Sequence, residues 1–156
     1  MITKKLEKIF YECDRHLLRI NKAYSKLSNI MPLNSSRYVK LTDSEIETLD
    51  QFLFRFSKLQ DTMGQKLFKN MLLFLGEDIS NRPFIDILNI MEKLKLIDSV
   101  NDWRELREDR NELAHNYEDE PEEMSETINR LYNKKVVLEK IYIQIKNEYK
   151  QRVNNG

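Results

Sequence analysis

The stretch from Thr42 to Gly76 decides the fold, and it reads TDSEIETLDQFLFRFSKLQDTMGQKLFKNMLLFLG. Thr42 and Glu45, three residues apart, form the pattern of a capping box, which marks the start of a helix. Apolar residues then recur at steps of three and four, as on one face of a helix: Leu49, Phe52, Phe56, Leu59, Met63, Leu67, Met71 and Leu75. The stretch predicts one helix that runs to Gly76 as a rod of roughly 50 Å.

Gly64 lies inside this helical pattern. A glycine within a helix has no side chain to hold a neighbouring element away. We therefore expect another helix to pack closely against the rod at this position.

On the amino-terminal side of the rod, the same spacing predicts a helix that begins at Thr3 and is ended by Pro32. Residues 31–41 are polar and include one proline, so we interpret them as a connecting loop.

On the carboxyl-terminal side, three further helices are predicted. One begins after Pro83, and the next opens with Ser99 as a cap and runs toward His115. The last begins at Pro121 and continues as a single helix through Tyr149.

The composition agrees with these helices. Only three glycines and three prolines interrupt the chain, and 33% of it is charged, which favours long amphipathic helices over sheets. We predict a single all-α domain over residues 1–156, built as an antiparallel bundle of about five helices.

Membrane and metal classes are disfavoured. Charges interrupt every apolar stretch before the roughly 18 residues of a membrane span, and the amino terminus lacks an apolar signal core, so we expect a cytoplasmic protein. Cys13 is the single cysteine and, with His16, offers a metal only two ligands. We expect neither a metal nor a cofactor.

Charge is unevenly distributed although the net charge is zero. Residues 1–40 carry nine basic and three acidic groups, whereas residues 98–123 carry three basic and eleven acidic groups. This polarity suits self-association or a charged partner. It is not the general basic footprint of most nucleic-acid binders, so charge alone does not indicate RNA.

Arg110 interrupts the apolar seam of the predicted fourth helix, whose positions step by three and four: Trp103, Leu106, Arg110, Leu113 and Tyr117. A guanidinium there must be ion-paired, reach water along its stem, or line a cleft that holds an anion. A salt bridge to a nearby acid such as Asp109 or Glu112 is the simplest alternative to a functional role.

His115 lies five residues beyond Arg110, and Asn111 shares the face of His115. An imidazole can gain and lose a proton near neutral pH, and a guanidinium can hold a phosphate by two hydrogen bonds. These groups suit phosphodiester chemistry without a metal. The simpler alternatives are a histidine that caps the helix end and a Tyr117 that closes the bundle.

The eight residues Arg110-Asn111-Glu112-Leu113-Ala114-His115-Asn116-Tyr117 resemble the Arg-x4-His-x-Tyr signature of HepT toxins in the HEPN superfamily. The resemblance implies a HEPN-like fold and a homodimer whose two motif helices share one cleft. It also implies a metal-independent endoribonuclease in which the ribose 2′-hydroxyl attacks the adjacent phosphate. In that mechanism His115 transfers protons, Arg110 holds the phosphate and Asn111 orients the reacting groups.

The resemblance further implies a partner, an MntA-type nucleotidyltransferase antitoxin that transfers AMP to the motif tyrosine, here Tyr117. A bulky anionic group at that position would block the cleft and repel RNA. Two other hypotheses remain open: a non-catalytic subunit that binds substrate or nucleotide within a nucleotidyltransferase complex, and a helical scaffold.

Overall fold

The structure, a computed structural model, describes residues 1–116 and 118–156, and within them it contains helices and no strand. The prediction of an all-α fold is confirmed. The helices are α1 (Ile2–Leu27), α2 (Ser35–Val39), α3 (Asp43–Thr62), α4 (Phe68–Phe74), α5 (Phe84–Lys93), α6 (Val100–His115), α7 (Pro121–Asn133) and α8 (Lys135–Asn155). None of these helices is both long enough and apolar enough to cross a membrane.

The predicted rod is present, and its capping box is confirmed. The Thr42 backbone N–H donates to Glu45 Oε1 at 2.9 Å, and the Glu45 N–H donates to Thr42 Oγ1 at 3.2 Å. Helices α3 and α4 are joined without a break by a π-helical turn over Met63–Leu67, and the rod ends at Phe74. The apolar stripe from Leu49 to Met71 is buried along its length.

The π turn is a feature of the rod that the sequence analysis did not predict. A π turn inserts one extra residue into a helical turn, and such turns are frequent at functional sites. Gly64 lies inside it, and a Cβ built there would stand 3.1 Å from Trp103 Cζ2. The prediction of close packing at Gly64 is confirmed, and the helix that approaches is α6.

Helices α1 and α8 pack along each other through polar as well as apolar groups. The Tyr142 hydroxyl donates to Asp14 Oδ1 at 2.6 Å, and the Tyr149 hydroxyl donates to Glu7 Oε1 at 2.8 Å. Burial, reinforced by the hydrogen bond to Asp14, raises the pKa of Tyr142 well above its usual range. The phenol therefore remains a hydrogen-bond donor, and it fixes α8 against α1.

Two predicted boundaries are wrong. Residues 31–41 are not wholly a loop, because Asn34 accepts a hydrogen bond from the Arg37 N–H at 2.8 Å and starts the short helix α2. Asparagine is common both in loops and at the first position before a helix, so Asn34 was interpreted as a loop residue although it caps α2.

The predicted single helix from Pro121 to Tyr149 is two helices, α7 and α8, separated at Lys134. The backbone of Lys134, with φ −90° and ψ 3°, leaves the helical conformation. The apolar pattern of residues 121–149 did not indicate this break. Leu131 and Leu138 are seven residues apart, a spacing that an unbroken helix would also show.

Replacement of Gly64 by valine tests the packing of α6 on the rod. The branched side chain would overlap the Trp103 ring, so we expect a loss of about 1–3 kcal/mol in the free energy of unfolding. Gln65→Val is the matched control, because Gln65 is exposed on the same turn. Urea denaturation of both variants measures the difference, and equal stability of the two would contradict the proposed contact.

Candidate functional site

The candidate site is built on α6, whose two ends are fixed by side chains. At the start, Ser99 Oγ accepts a hydrogen bond from the Asn101 N–H at 3.1 Å, which confirms Ser99 as the cap. Beyond the last turn, Asn116 Nδ2 donates to Thr127 Oγ1 of α7 at 2.7 Å. These bonds hold the residues between them at defined positions on the helix.

Arg110 is half-buried, as its place in an apolar seam predicts. Its side chain is 31% exposed, and its Nη2 lies 3.4 Å from Asp61 Oδ2 of α3. The ion pair weighed as the simpler alternative is therefore present, but its acid comes from the rod and is neither Asp109 nor Glu112. This single long ion pair between part-exposed groups is weak.

The Nε of Arg110 is buried without a hydrogen-bond partner among residues 1–116 and 118–156. A buried donor that is left unpaired costs free energy, and such groups call for an explanation. The same condition holds for Oε1 of Gln60, a side chain that is only 3% exposed. The two unpaired groups belong to residues that line one cavity.

This cavity, of about 390 Å³, lies where α6 crosses the π turn. Its apolar wall comes from Gly64, Phe84 and Trp103. Its polar lining comes from Gln60, Asp61, Gln65, Arg107, Arg110 and Asn111. A concave site with an aromatic wall and a few convergent polar groups is the usual form of a small-ligand site.

The structure brings Arg110 and Asn111 together at this cavity, and it places His115 elsewhere. His115 is exposed at the last turn of α6 and does not line the cavity. Five residues of helix separate it from Arg110, which is about 7.5 Å along the axis and about 140° around it. Tyr117, the predicted acceptor of AMP, lies outside the described residues.

Asp109, which the sequence analysis named only as an alternative partner of Arg110, has other partners. It is buried, and it accepts hydrogen bonds from Arg130 Nε at 3.1 Å and from Lys134 Nζ. These bonds tie α6 to α7 and to the junction before α8. Its position three residues after Leu106 was a signal of burial, but its two partners lie more than twenty residues away.

Cys13 and His16, the two groups weighed as metal ligands, are engaged otherwise. Burial raises the pKa of the Cys13 thiol to about 12, so the thiol is protonated at neutral pH. The His16 Nδ1 lies 3.1 Å from Arg55 Nη1, and burial, together with the Arg55 charge, lowers the pKa of His16. Within the described ranges no three His, Cys, Asp or Glu residues cluster as metal ligands do.

Replacement of Asp109 by alanine tests how α6 is held. It would leave Arg130 without its carboxylate and Lys134 with only the longer contact to Glu105 at 3.7 Å, and both cations are partly exposed, so we expect a loss of roughly 2 kcal/mol in the free energy of unfolding. Glu108→Ala removes a neighbouring exposed carboxylate and serves as the control. Thermal unfolding compares the two; a Glu108 variant that loses as much stability would refute the role of Asp109.

Comparison of the chain with protein-family models, with curated proteins and with solved structures gives no match.

Proposed function

We propose that this chain is a toxin endoribonuclease of the HEPN type, the metal-independent enzyme that the α6 signature implies. One observation carries the proposal: Arg110 is held half-buried beside a cavity with an unpaired donor, on the same helix that exposes His115. A guanidinium in a seam that otherwise packs apolar side chains needs partners, and the single long contact to Asp61 leaves the Nε donor of Arg110 unpaired and open to an anion.

The proposed reaction assigns Arg110 to the phosphate. Its contact to Asp61 is long, at 3.4 Å, so a phosphate oxygen can replace the carboxylate and receive two hydrogen bonds from the guanidinium fork. The positive charge then stabilises the negative charge that grows on the phosphoryl oxygens as the 2′-oxygen approaches phosphorus. Asn111, exposed beside Arg110 on the cavity rim, orients the reacting groups.

His115 moves the protons in this proposal. It accepts the proton of the ribose 2′-hydroxyl as the 2′-oxygen bonds to phosphorus, and the bond from phosphorus to the 5′-oxygen breaks. The leaving 5′-oxygen takes up a proton from a second, protonated imidazole, which leaves a 2′,3′-cyclic phosphate and a 5′-hydroxyl. An imidazole that is exposed at a helix end can exchange protons with both substrate and solvent.

A homodimer completes the site in this account. Within one chain His115 stands outside the cavity that Arg110 lines, and one imidazole cannot be base and acid in the same step. Two α6 helices that face one another would supply a second His115 and a second Arg110 to a shared cleft. Dimerisation would then create the active site.

The catalytic roles predict which variants lose toxicity. Expressed without an antitoxin, the wild-type chain should arrest bacterial growth, and Arg110→Ala and His115→Ala should not. With purified protein and labelled RNA in a chelator, each of these two substitutions should lower the cleavage rate by about 10²–10⁴-fold.

The controls for this experiment come from the same chain. Arg104→Ala removes an exposed arginine from α6, and His16→Asn replaces the second of the two histidines. Both should cleave RNA as the wild type does. Equal toxicity of the wild type, Arg110→Ala and His115→Ala would end the proposal.

The proposed regulation is transfer of AMP to Tyr117 by an MntA-type nucleotidyltransferase. After coexpression with that enzyme, the intact mass of the chain should increase by one or more AMP groups, and its RNA cleavage should be lost. The Tyr117→Phe variant should keep its original mass and its toxicity. An unmodified wild-type chain that is nevertheless neutralised would show that the antitoxin acts in another way.

The cavity itself favours a second candidate, a subunit that binds nucleotide without cleaving RNA. Its volume of about 390 Å³ suits a small ligand, and His115 is not part of it. The RNA assay separates the two functions. Nucleotide binding that Gln60→Leu abolishes, in a chain that does not cleave RNA, would support the binding subunit.

A further inference from the structure

A second groove lies beside the cavity, on the other side of the π turn. It has a volume of about 570 Å³ and runs between the first turns of α1 and the start of α4. Four lysines line it, Lys5 and Lys8 from α1, Lys66 from the π turn and Lys69 from α4. Glu12 is the one carboxylate in its lining.

Gln65 joins the groove to the cavity, because it lines both. The order of residues along the rod extends this connection. Lys69 and Lys66 are followed by Gln65 and, about one helical turn nearer the start of the rod, by Asp61, which meets Arg110. The lysine-lined groove and the cavity therefore meet at Gln65, and the two together are here called the cationic track.

The cationic track carries six cations and two carboxylates: Lys5, Lys8, Lys66, Lys69, Arg107 and Arg110 with Glu12 and Asp61. Each carboxylate is already engaged, Glu12 with Lys66 at 3.5 Å and Asp61 with Arg110 at 3.4 Å. Among the ion pairs of the described residues, none involves the remaining four cations. Their charge is available to a ligand.

The carboxylates of the acidic segment, residues 98–123, lie outside the lining of this track. Residues 98–123 carry eleven carboxylates, and not one of them lines the cavity or the lysine groove. The net charge of the chain is zero and gave no indication of a nucleic-acid ligand, but the track has a local excess of cations. A track of this kind attracts a polyanion, and the acids outside it repel one, so the track also selects the direction of approach.

We propose that single-stranded RNA lies in the cationic track, with its backbone phosphates on the four lysines and its scissile phosphate at Arg110. This inference rests on the proposed ribonuclease function and names the surface that holds the substrate. Lysine suits the role because its ammonium contacts phosphates without reading bases. Two grooves that meet at Gln65 suit one flexible single strand, which can bend from one groove into the other.

Binding is tested in the His115→Ala background, where RNA should stay intact. The triple variant Lys5→Gln, Lys8→Gln, Lys69→Gln removes three unpaired charges of the track. The control Lys26→Gln, Lys40→Gln, Lys93→Gln removes three exposed lysines from other surfaces. Fluorescence anisotropy with a short labelled oligouridylate, at salt between about 50 and 200 mM, gives the affinity and its salt dependence.

The track variant should bind the oligouridylate at least about tenfold more weakly than the control, and its log–log salt slope should be shallower by about 2. Thermal unfolding should show equal stability for both triple variants, since all six lysines are exposed. Equal affinity and equal salt slope in the two variants would overturn the proposal that RNA binds in the track. A track variant that loses self-association while it keeps RNA affinity would also overturn it, because the groove would then be a protein interface.

Different results test the proposed nuclease function and the proposed RNA-binding surface. If the wild type shows no cleavage that depends on Arg110 and His115, the nuclease assignment is lost, whatever the anisotropy shows. Conversely, lysine-dependent binding without cleavage supports the track as an RNA surface. With cleavage intact, the triple track variant should cut a dinucleotide as the wild type does and cut longer RNA more slowly.

Discussion

The contact of Trp103 with the backbone of Gly64 determines where α6 lies, and the candidate site depends on that position. A side chain at residue 64 would come within 3.1 Å of the indole, so the absence of one allows the helix to settle onto the π turn. The Trp103 ring also packs edge-on against Phe68, with ring centroids 4.6 Å apart. From this anchor, two helical turns bring Arg110 to Asp61, and a further five residues bring His115 to the exposed end.

The helical fold could be predicted from sequence wherever burial and helical period coincide. The Thr42 capping box and the stripe from Leu49 to Met71 are local signals, and the structure reproduces both. The break at Lys134 was not predictable from spacing, because Leu131 and Leu138 stand seven residues apart as in an unbroken helix. The π turn does alter the spacing, since the buried residues step by four from Leu59 to Met71, but single steps of four also occur in an ordinary helix.

The candidate site was predictable in part for the same reason. The seam position of Arg110 indicated a guanidinium that is paired, reaches water or lines a cleft, and in the structure it pairs with Asp61 and lines the cavity. Its partner Asp61 lies 49 residues earlier, so spacing within α6 pointed to the wrong acids. The cavity also combines residues from the rod, α5 and α6. Gln60 and Trp103 meet there only because these helices pack together.

The fold distributes charge less evenly over the surface than the net charge of zero suggests. The cations of α1 and of the rod share a groove, while the acids around α6 and α7 lie outside it or are paired, as Asp109 is with Arg130 and Lys134. In the proposed function, this arrangement delivers RNA to Arg110 from one side.

The chemical nature of the RNA ends tests the central claim most directly. RNA treated with the wild-type chain in a chelator should carry 2′,3′-cyclic phosphates opposite 5′-hydroxyls, as mass spectrometry of the fragments would detect, and His115→Ala should produce neither end. Fragments that carry 3′-hydroxyls and 5′-phosphates, or the same cyclic ends in the His115→Ala reaction, would contradict the proton-transfer role of His115.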